Sequence, residues 1–210
     1  VVEGERQACF LPNPGRLQEL LKPSARILLK MNLSKTRKTR YDILGVYDES
    51  LIVPIDSRMP NRILFEALEK GVLREFQGYN LIKPEPTYGH GRFDFLLKGK
   101  REKCLIEAKS CTLVKDGVAL FPDAPTGRGR RHVLELLLAK MKGFRACLVF
   151  IVQHSGATSF SPNYETDREF SKALSFVARK GVEVFAYRLK KPSLSLSLKI
   201  DTRIPVYLDG

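Results

Sequence analysis

The segment Ala146–Val152 reads Ala-Cys-Leu-Val-Phe-Ile-Val, apolar at every position. Side chains alternate between the two faces of a strand, so this run leaves neither face for water. It predicts a strand buried on both sides, inside a sheet that helices cover. The flanking sequence supplies such helices. Arg130–Lys142 carries Val133, Leu134, Leu137, Leu138 and Met141 at helical spacing, which predicts an amphipathic helix resting on that face. Asp167–Lys180 predicts a second helix, closed by Gly181 and followed by a strand over Val182–Tyr187. Upstream, Ile63, Leu64, Ala67 and Leu68 mark a helix that stops near Gly71. Strands are expected over Leu81–Glu85, Arg92–Leu97 and Cys104–Lys109, with the charged segment Lys98–Lys103 as a hairpin connection. A meander followed by crossover helices makes an α/β sheet with mixed pairing. The strictly alternating tail Ser193–Ile200 is expected to be a half-exposed strand.

The first 57 residues differ in character. Short apolar or β-branched runs at Ala8–Leu11, Ala25–Met31, Tyr41–Tyr47 and Leu51–Ile55 are separated by turns such as Pro12-Asn13-Pro14-Gly15. From Arg26 to Arg40, both included, there are six basic residues and no acidic one. Short strands joined by basic loops suit a small barrel of the OB type, with an ordinary β-subdomain as the alternative. The expected organisation is an OB-like unit over 1–57 and an α/β unit over 58–210.

Charge narrows the partner. Lys and Arg number 36 against 23 Asp and Glu, a net charge of +13 in 210 residues. Such an excess favours an anionic partner, nucleic acid before an acidic membrane surface. No apolar run approaches the roughly 20 residues that a membrane-crossing helix needs, and the first 25 residues lack the order of a secretory signal. The four cysteines, Cys9, Cys104, Cys111 and Cys147, show no zinc-type spacing. They are expected to be small buried hydrophobes in a reducing cytoplasm.

The chemistry concentrates in one stretch. Arg92-Phe93-Asp94-Phe95-Leu96-Leu97 is followed by the basic hairpin and then by Cys104-Leu105-Ile106-Glu107-Ala108-Lys109. Positions i and i+2 of a strand share a face, so Glu107 and Lys109 project to the same side. Asp94 lies one strand earlier and can meet them across the pair. Two carboxylates on one face suit a hard divalent cation, and an adjacent ammonium can orient a water or stabilise charge on a phosphate. The acidic-x-Lys triplet occurs once in the chain. Its setting carries the weight, and a cross-strand ion pair on a solvated face is the alternative.

This arrangement resembles the core of the PD-(D/E)XK nuclease superfamily, the restriction-endonuclease-like fold. Along nearly its whole length the chain also resembles the sugar fermentation stimulation protein A family. The residues behind that resemblance are Pro12–Leu17, Pro60-Asn61-Arg62, Gly91–Leu97, Glu107–Leu113 and Phe121-Pro122-Asp123-Ala124-Pro125-Thr126-Gly127-Arg128-Gly129, with His132 and Glu135 following. The resemblance implies an OB-like domain joined to a nuclease-like domain, with the N-terminus short by a first strand. It implies DNA binding, either with Mg²⁺- or Mn²⁺-dependent phosphodiester cleavage or as a non-catalytic regulator of sugar (maltose) metabolism on a nuclease scaffold. Asp94, Glu107 and Lys109 match the superfamily's catalytic positions. Asp94, Glu107 and the carbonyl of Ala108 would hold the metal, and Glu66 and Asp123 are further candidate ligands. The basic residues expected to meet nucleic acid are Arg16, Lys35, Arg37, Lys38, Arg40, Arg92, Arg128, Arg130 and Arg131, together with His132. His132 and Glu135, three apart on one helix, could also bond each other.

Overall fold

A computed structural model describes residues 1–34, 36–89, 91–193 and 197–209. The N-terminal part contains β1 (Cys9–Phe10), β2 (Ile27–Met31), β3 (Tyr41–Asp48) and β4 (Leu51–Pro54). The long β3 organises all four: β2 and β4 pair with it antiparallel, and β1 joins it in parallel at Cys9↔Tyr41. Leu17, Leu20, Ile43, Val46, Val53 and Ile55 form a separate small core behind this sheet. The whole is mixed α/β, with a small β unit followed by a larger α/β domain.

The larger domain begins with α1 (Met59–Glu69), led in by Pro60 at the start of the helix, where a missing N–H costs nothing. Next come a 3-10 turn (Arg74–Phe76), β5 (Tyr79–Pro84), the two-residue pair β6 (Thr87–Tyr88) and β7 (Gly91–Arg92), β8 (Phe95–Gly99) and β9 (Lys103–Cys111). Beyond them lie β10 (Val114–Lys115), β11 (Val118–Phe121), α2 (Gly127–Met141), β12 (Arg145–Val152), β13 (Ser159–Pro162), α3 (Arg168–Arg179), β14 (Glu183–Leu189) and β15 (Ile200–Ile204). Six strands make one sheet in the order β15-β14-β12-β9-β8-β5. The pairs β5/β8, β8/β9 and β14/β15 are antiparallel; β9/β12 and β12/β14 are parallel. Strand β12 lies centrally, and Ala146–Val152 is fully buried, as its apolar run predicts.

Alternation on β9 assigns the faces. Cys104, Ile106 and Ala108 join the core under α1, while Leu105 and Cys111 join the core under α2 and α3. Glu107 and Lys109 share parity with Leu105 and Cys111 and so lie on the α2 side. Among the described residues, no helix is long and apolar enough to cross a membrane. All four cysteines are free; three are buried and Cys9 is partly buried.

Three sequence expectations are corrected. The buried stripe of α2 is Gly129, Val133, Leu136 and Ala139, with Leu137 packed at its margin. Leu134, Leu138 and Met141, expected inside, are exposed. The small residues Gly129 and Ala139 let the helix approach β9, β12 and α3 closely, and that contact outweighs the larger leucines in setting its rotation. The tail strand is Ile200–Ile204, because those residues find an open edge on β14 at Ala186–Leu189. Of the segment expected to form it, Leu194, Ser195 and Leu196 lie outside the described residues, and Ser197–Lys199 are not strand. Asp94, expected within a strand, sits in a bend just before β8. The chain turns there because β7 pairs with β6 instead of extending β8.

Candidate active site

The cleft at the C-terminal half of β9 is lined by Ser57, Asn61, Asp94, Glu107, Ala108, Lys109, Thr126, Arg128, Gly129 and His132. Four parts of the chain meet there: the junction after β4, the first turn of α1, the β8/β9 pair and the start of α2. The OB domain packs against this end of the sheet. Thr112 Oγ1 donates to Glu19 at 3.4 Å, and the ring of His154 bonds Asp48 at 3.0 Å.

Asp94 is fixed from two directions. Its backbone N–H donates to the Ile106 carbonyl, its Oδ2 accepts from the Ala108 N–H at 2.7 Å, and its Oδ1 accepts from Asn61 Nδ2 at 2.6 Å. In a strand a residue's N–H and C=O point to the same edge. The Ala108 carbonyl therefore lies on the edge that the bend at Asp94 leaves uncovered.

Glu107 is 3% exposed. Its Oε1 accepts from Lys109 Nζ and from His132 Nδ1, the latter at 2.5 Å. The two carboxyls respond differently to a shared enclosure. Burial and then the charge of Glu107 push the Asp94 carboxyl up, against the opposing Ala108 N–H, Lys109 and Asn61. Burial also pushes Glu107 up, but the His132 bond and the contacts from Lys109 outweigh it and hold the carboxyl below the usual range. Glu107 thus keeps its charge, and Asp94 bears the cost of two carboxylates in one enclosure.

The start of α2 adds donors. Thr126 caps the helix by accepting from Gly129 N–H, and Asp167 Oδ2 anchors the Thr126 N–H at 2.8 Å. A side chain at Gly129 would bring its Cβ within 2.7 Å of Thr126 Oγ1, so glycine is needed for this cap. With the Gly129 amide taken by this cap and the Arg130 amide by the Thr126 carbonyl, the free amides at the start of α2 are those of Gly127 and Arg128, beside the cleft that Arg128 lines.

Of the sequence-derived site residues, Asp94, Glu107, Ala108, Lys109, Arg128 and His132 come together. Glu66 does not. It lies five residues beyond Asn61, about 140° around and 7.5 Å along α1, where it pairs with Arg62 at 3.9 Å and Lys70 at 3.5 Å. Asp123 is also absent from the lining. It faces the OB domain, where it would sit 3.4 Å from a Cβ at Gly15, and its charge acts on Glu19 and Cys111. His132 bonds Glu107 and Arg128, not Glu135, which Arg131 approaches at 3.8 Å.

Among the other basic candidates, Arg130 pairs with Glu169 at 3.5 Å and Arg92 with Glu85 at 3.5 Å. Arg37 is held bidentately by Asp42 and lies over Phe10. Arg16, Lys38 and Arg40 are exposed on the OB domain, and Lys35 lies outside the described residues. Asn61, Ser57 and Thr126 are site residues that the sequence reading did not assign. For Asn61 and Thr126 a signal existed, since both fall in the segments carrying the family resemblance.

Among the described residues, no group of three or more His, Cys, Asp or Glu is arranged to hold a metal. The oxygen donors available are two carboxylates and one carbonyl. They suit a hard cation, whose charge would offset both the burial of Asp94 and its repulsion from Glu107.

Comparison with known proteins agrees with this architecture. Residues 58–193 match the family model of the sugar fermentation stimulation protein RE domain, and residues 1–55 match that of the SfsA N-terminal OB domain. The sugar fermentation stimulation protein homolog of Caldanaerobacter subterraneus subsp. tengcongensis is 41% identical over 207 residues, covering 99% of this chain and 90% of the relative. That of Moorella thermoacetica is 44% identical over 198 residues, covering 93% and 85%. A solved structure of Pyrococcus furiosus SfsA, in complex with Ca²⁺, superposes with a TM-score of 0.86 at 31% identity, covering 96% of this chain and 86% of that one.

Proposed function

The chain belongs to the sugar fermentation stimulation protein family, and on that footing we propose that it is a metal-dependent phosphodiesterase acting on nucleic acid, with DNA as its substrate. The observation that carries the proposal is the convergence of Asp94, Glu107 and Lys109 beside the start of α2. Asp94, Glu107 and the Ala108 carbonyl would hold Mg²⁺ or Mn²⁺, which supplies Lewis-acid charge at the scissile phosphate. The Ca²⁺ in the Pyrococcus furiosus relative supports a hard-cation site, because Ca²⁺ draws on the same oxygen ligands. Asn61 and the Ala108 N–H hold Asp94 in place. The Lys109 ammonium orients the attacking water and offsets charge that develops on the phosphate. Arg128 and the free amides of α2 receive the phosphate oxygens.

A second reading has its own observation. Lys109 is bonded to Glu107, as expected if the pair is structural and the protein is a DNA-binding regulator without catalysis. A cleavage screen separates the two. Single- and double-stranded DNA and RNA are incubated with Mg²⁺, Mn²⁺ or chelator, using wild type and Glu107→Gln. Cleavage that needs metal and Glu107 supports the phosphodiesterase. Tight binding without cleavage on every substrate supports the regulator.

A further inference from the structure

We infer that His132 is a positioning residue that holds the Glu107 carboxylate in its metal-binding pose and frees Lys109 for the reaction. The inference rests on the phosphodiesterase reading and deepens it.

Hydrogen-bond direction fixes the tautomer. Arg128 Nε can only donate, and it lies 3.4 Å from His132 Nε2, so Nε2 is the acceptor. The Glu107 carboxylate can only accept, so Nδ1 is the donor to its Oε1, at 2.5 Å. Glu107 Oε1 thus has two donors, His132 and Lys109, while its Oε2 carries no protein hydrogen bond among the described residues. If Lys109 were the sole partner, turning it toward a water would strip a buried carboxylate of its only compensation. With His132 in place, Lys109 can leave and Oε1 stays satisfied. Oε2 is then presented to a cation.

The rotation of α2 serves this arrangement. Docking by Gly129, Val133, Leu136 and Ala139 aims position 132 at Glu107 and leaves Leu134 and Leu138 outside. Groups that hydrogen-bond a ligating side chain usually contribute 10- to 100-fold to metal affinity.

The test uses Mn²⁺ binding followed by electron paramagnetic resonance, without nucleic acid, on wild type, Asp94→Asn, His132→Ala, His132→Asn and His132→Gln. The amide nitrogen of Asn falls near the position of Nδ1, and that of Gln falls near Nε2. The expected result is Mn²⁺ affinity about 10- to 100-fold weaker in His132→Ala and His132→Gln, recovering to within a few-fold of wild type in His132→Asn. In cleavage, kcat should follow the same order with KM for DNA unchanged. If His132→Ala does not fold, the Asn and Gln variants carry the comparison. Wild-type affinity in His132→Ala, or in His132→Gln, overturns the inference and leaves the phosphodiesterase reading standing. Wild-type protein whose Mn²⁺ binding is indifferent to Asp94→Asn overturns both.

Discussion

Replacing Lys109 with Ala removes one ammonium from the cleft and separates catalysis from binding. The Lys109 side chain is 18% exposed, and the side chain of its partner Glu107 is 4% exposed. It is one cation among 36 basic residues, so overall attraction to DNA should hardly change. Even if Lys109 touches a phosphate in the ground state, the slope of log affinity against log salt shifts by no more than about 0.9 for duplex DNA. The chemical step is different. A preorganised donor aimed at charge that develops in the transition state contributes about 10²- to 10³-fold in rate, or about 2.7–4 kcal/mol. Stability should fall by less than the roughly 3–5 kcal/mol of a fully broken buried pair, because Glu107 retains its bond to His132. The assay is single-turnover cleavage with Mn²⁺, with fluorescence anisotropy on the same substrate in Ca²⁺ and a thermal melt as the folding control. Cleavage within about threefold of wild type, at matched binding, would refute the role given to Lys109.

Asp94→Asn should abolish metal-dependent cleavage and leave DNA binding equal or slightly tighter, read by the same two assays. Its melting temperature carries two opposed effects, since Asn removes a buried charge but offers one acceptor where Asp94 offers two. The folded-state carboxyl is raised above its unfolded value, so ionised Asp94 costs stability at neutral pH. That cost disappears as pH falls through the folded value toward the unfolded value near 3.9, so wild type in chelator should gain stability relative to the variant across that window, read by thermal melts. Glu66→Gln, outside the cleft and paired only at the surface, should cleave like wild type and melt within about 0.5 kcal/mol of it. Leu136→Ala should cost about 2–5 kcal/mol in denaturant titration, whereas Leu138→Ala, 55% exposed on the same helix, should be nearly neutral.

The legible parts of the site were those carried by local periodicity. Period two along β9 put Glu107 and Lys109 on one side without knowledge of any neighbour. Glu66 and Asp123 lie outside the cleft for the opposite reason. Each is a carboxylate near the right elements in sequence, but its direction depends on how α1 and the loop after β11 pack. Asn61 stands where α1 points toward Asp94, and Glu66 has already turned away. His132 stands out in the sequence, but its partner Glu107 lies 25 positions upstream on a different element.

The two-domain order, the buried central strand and the placing of an acidic residue and a lysine on one strand face can be read from the residues alone. These follow from chain connectivity and from periods of 2 and 3.6 residues, which need no tertiary contact to operate. Long-range packing sets the rotation of α2, the edge that accepts Ile200–Ile204, and the bend that swings Asp94 onto the Ala108 amide. In α2 two apolar stripes compete, Val133-Leu136-Ala139 and Leu134-Leu138-Met141. The hydrophobic effect alone would favour the larger residues. Close packing of Gly129 and Ala139 against the sheet favours the smaller, because interior side chains must interdigitate without voids. That choice turns His132 toward Glu107, so a packing decision made outside the cleft sets the hydrogen bonding within it.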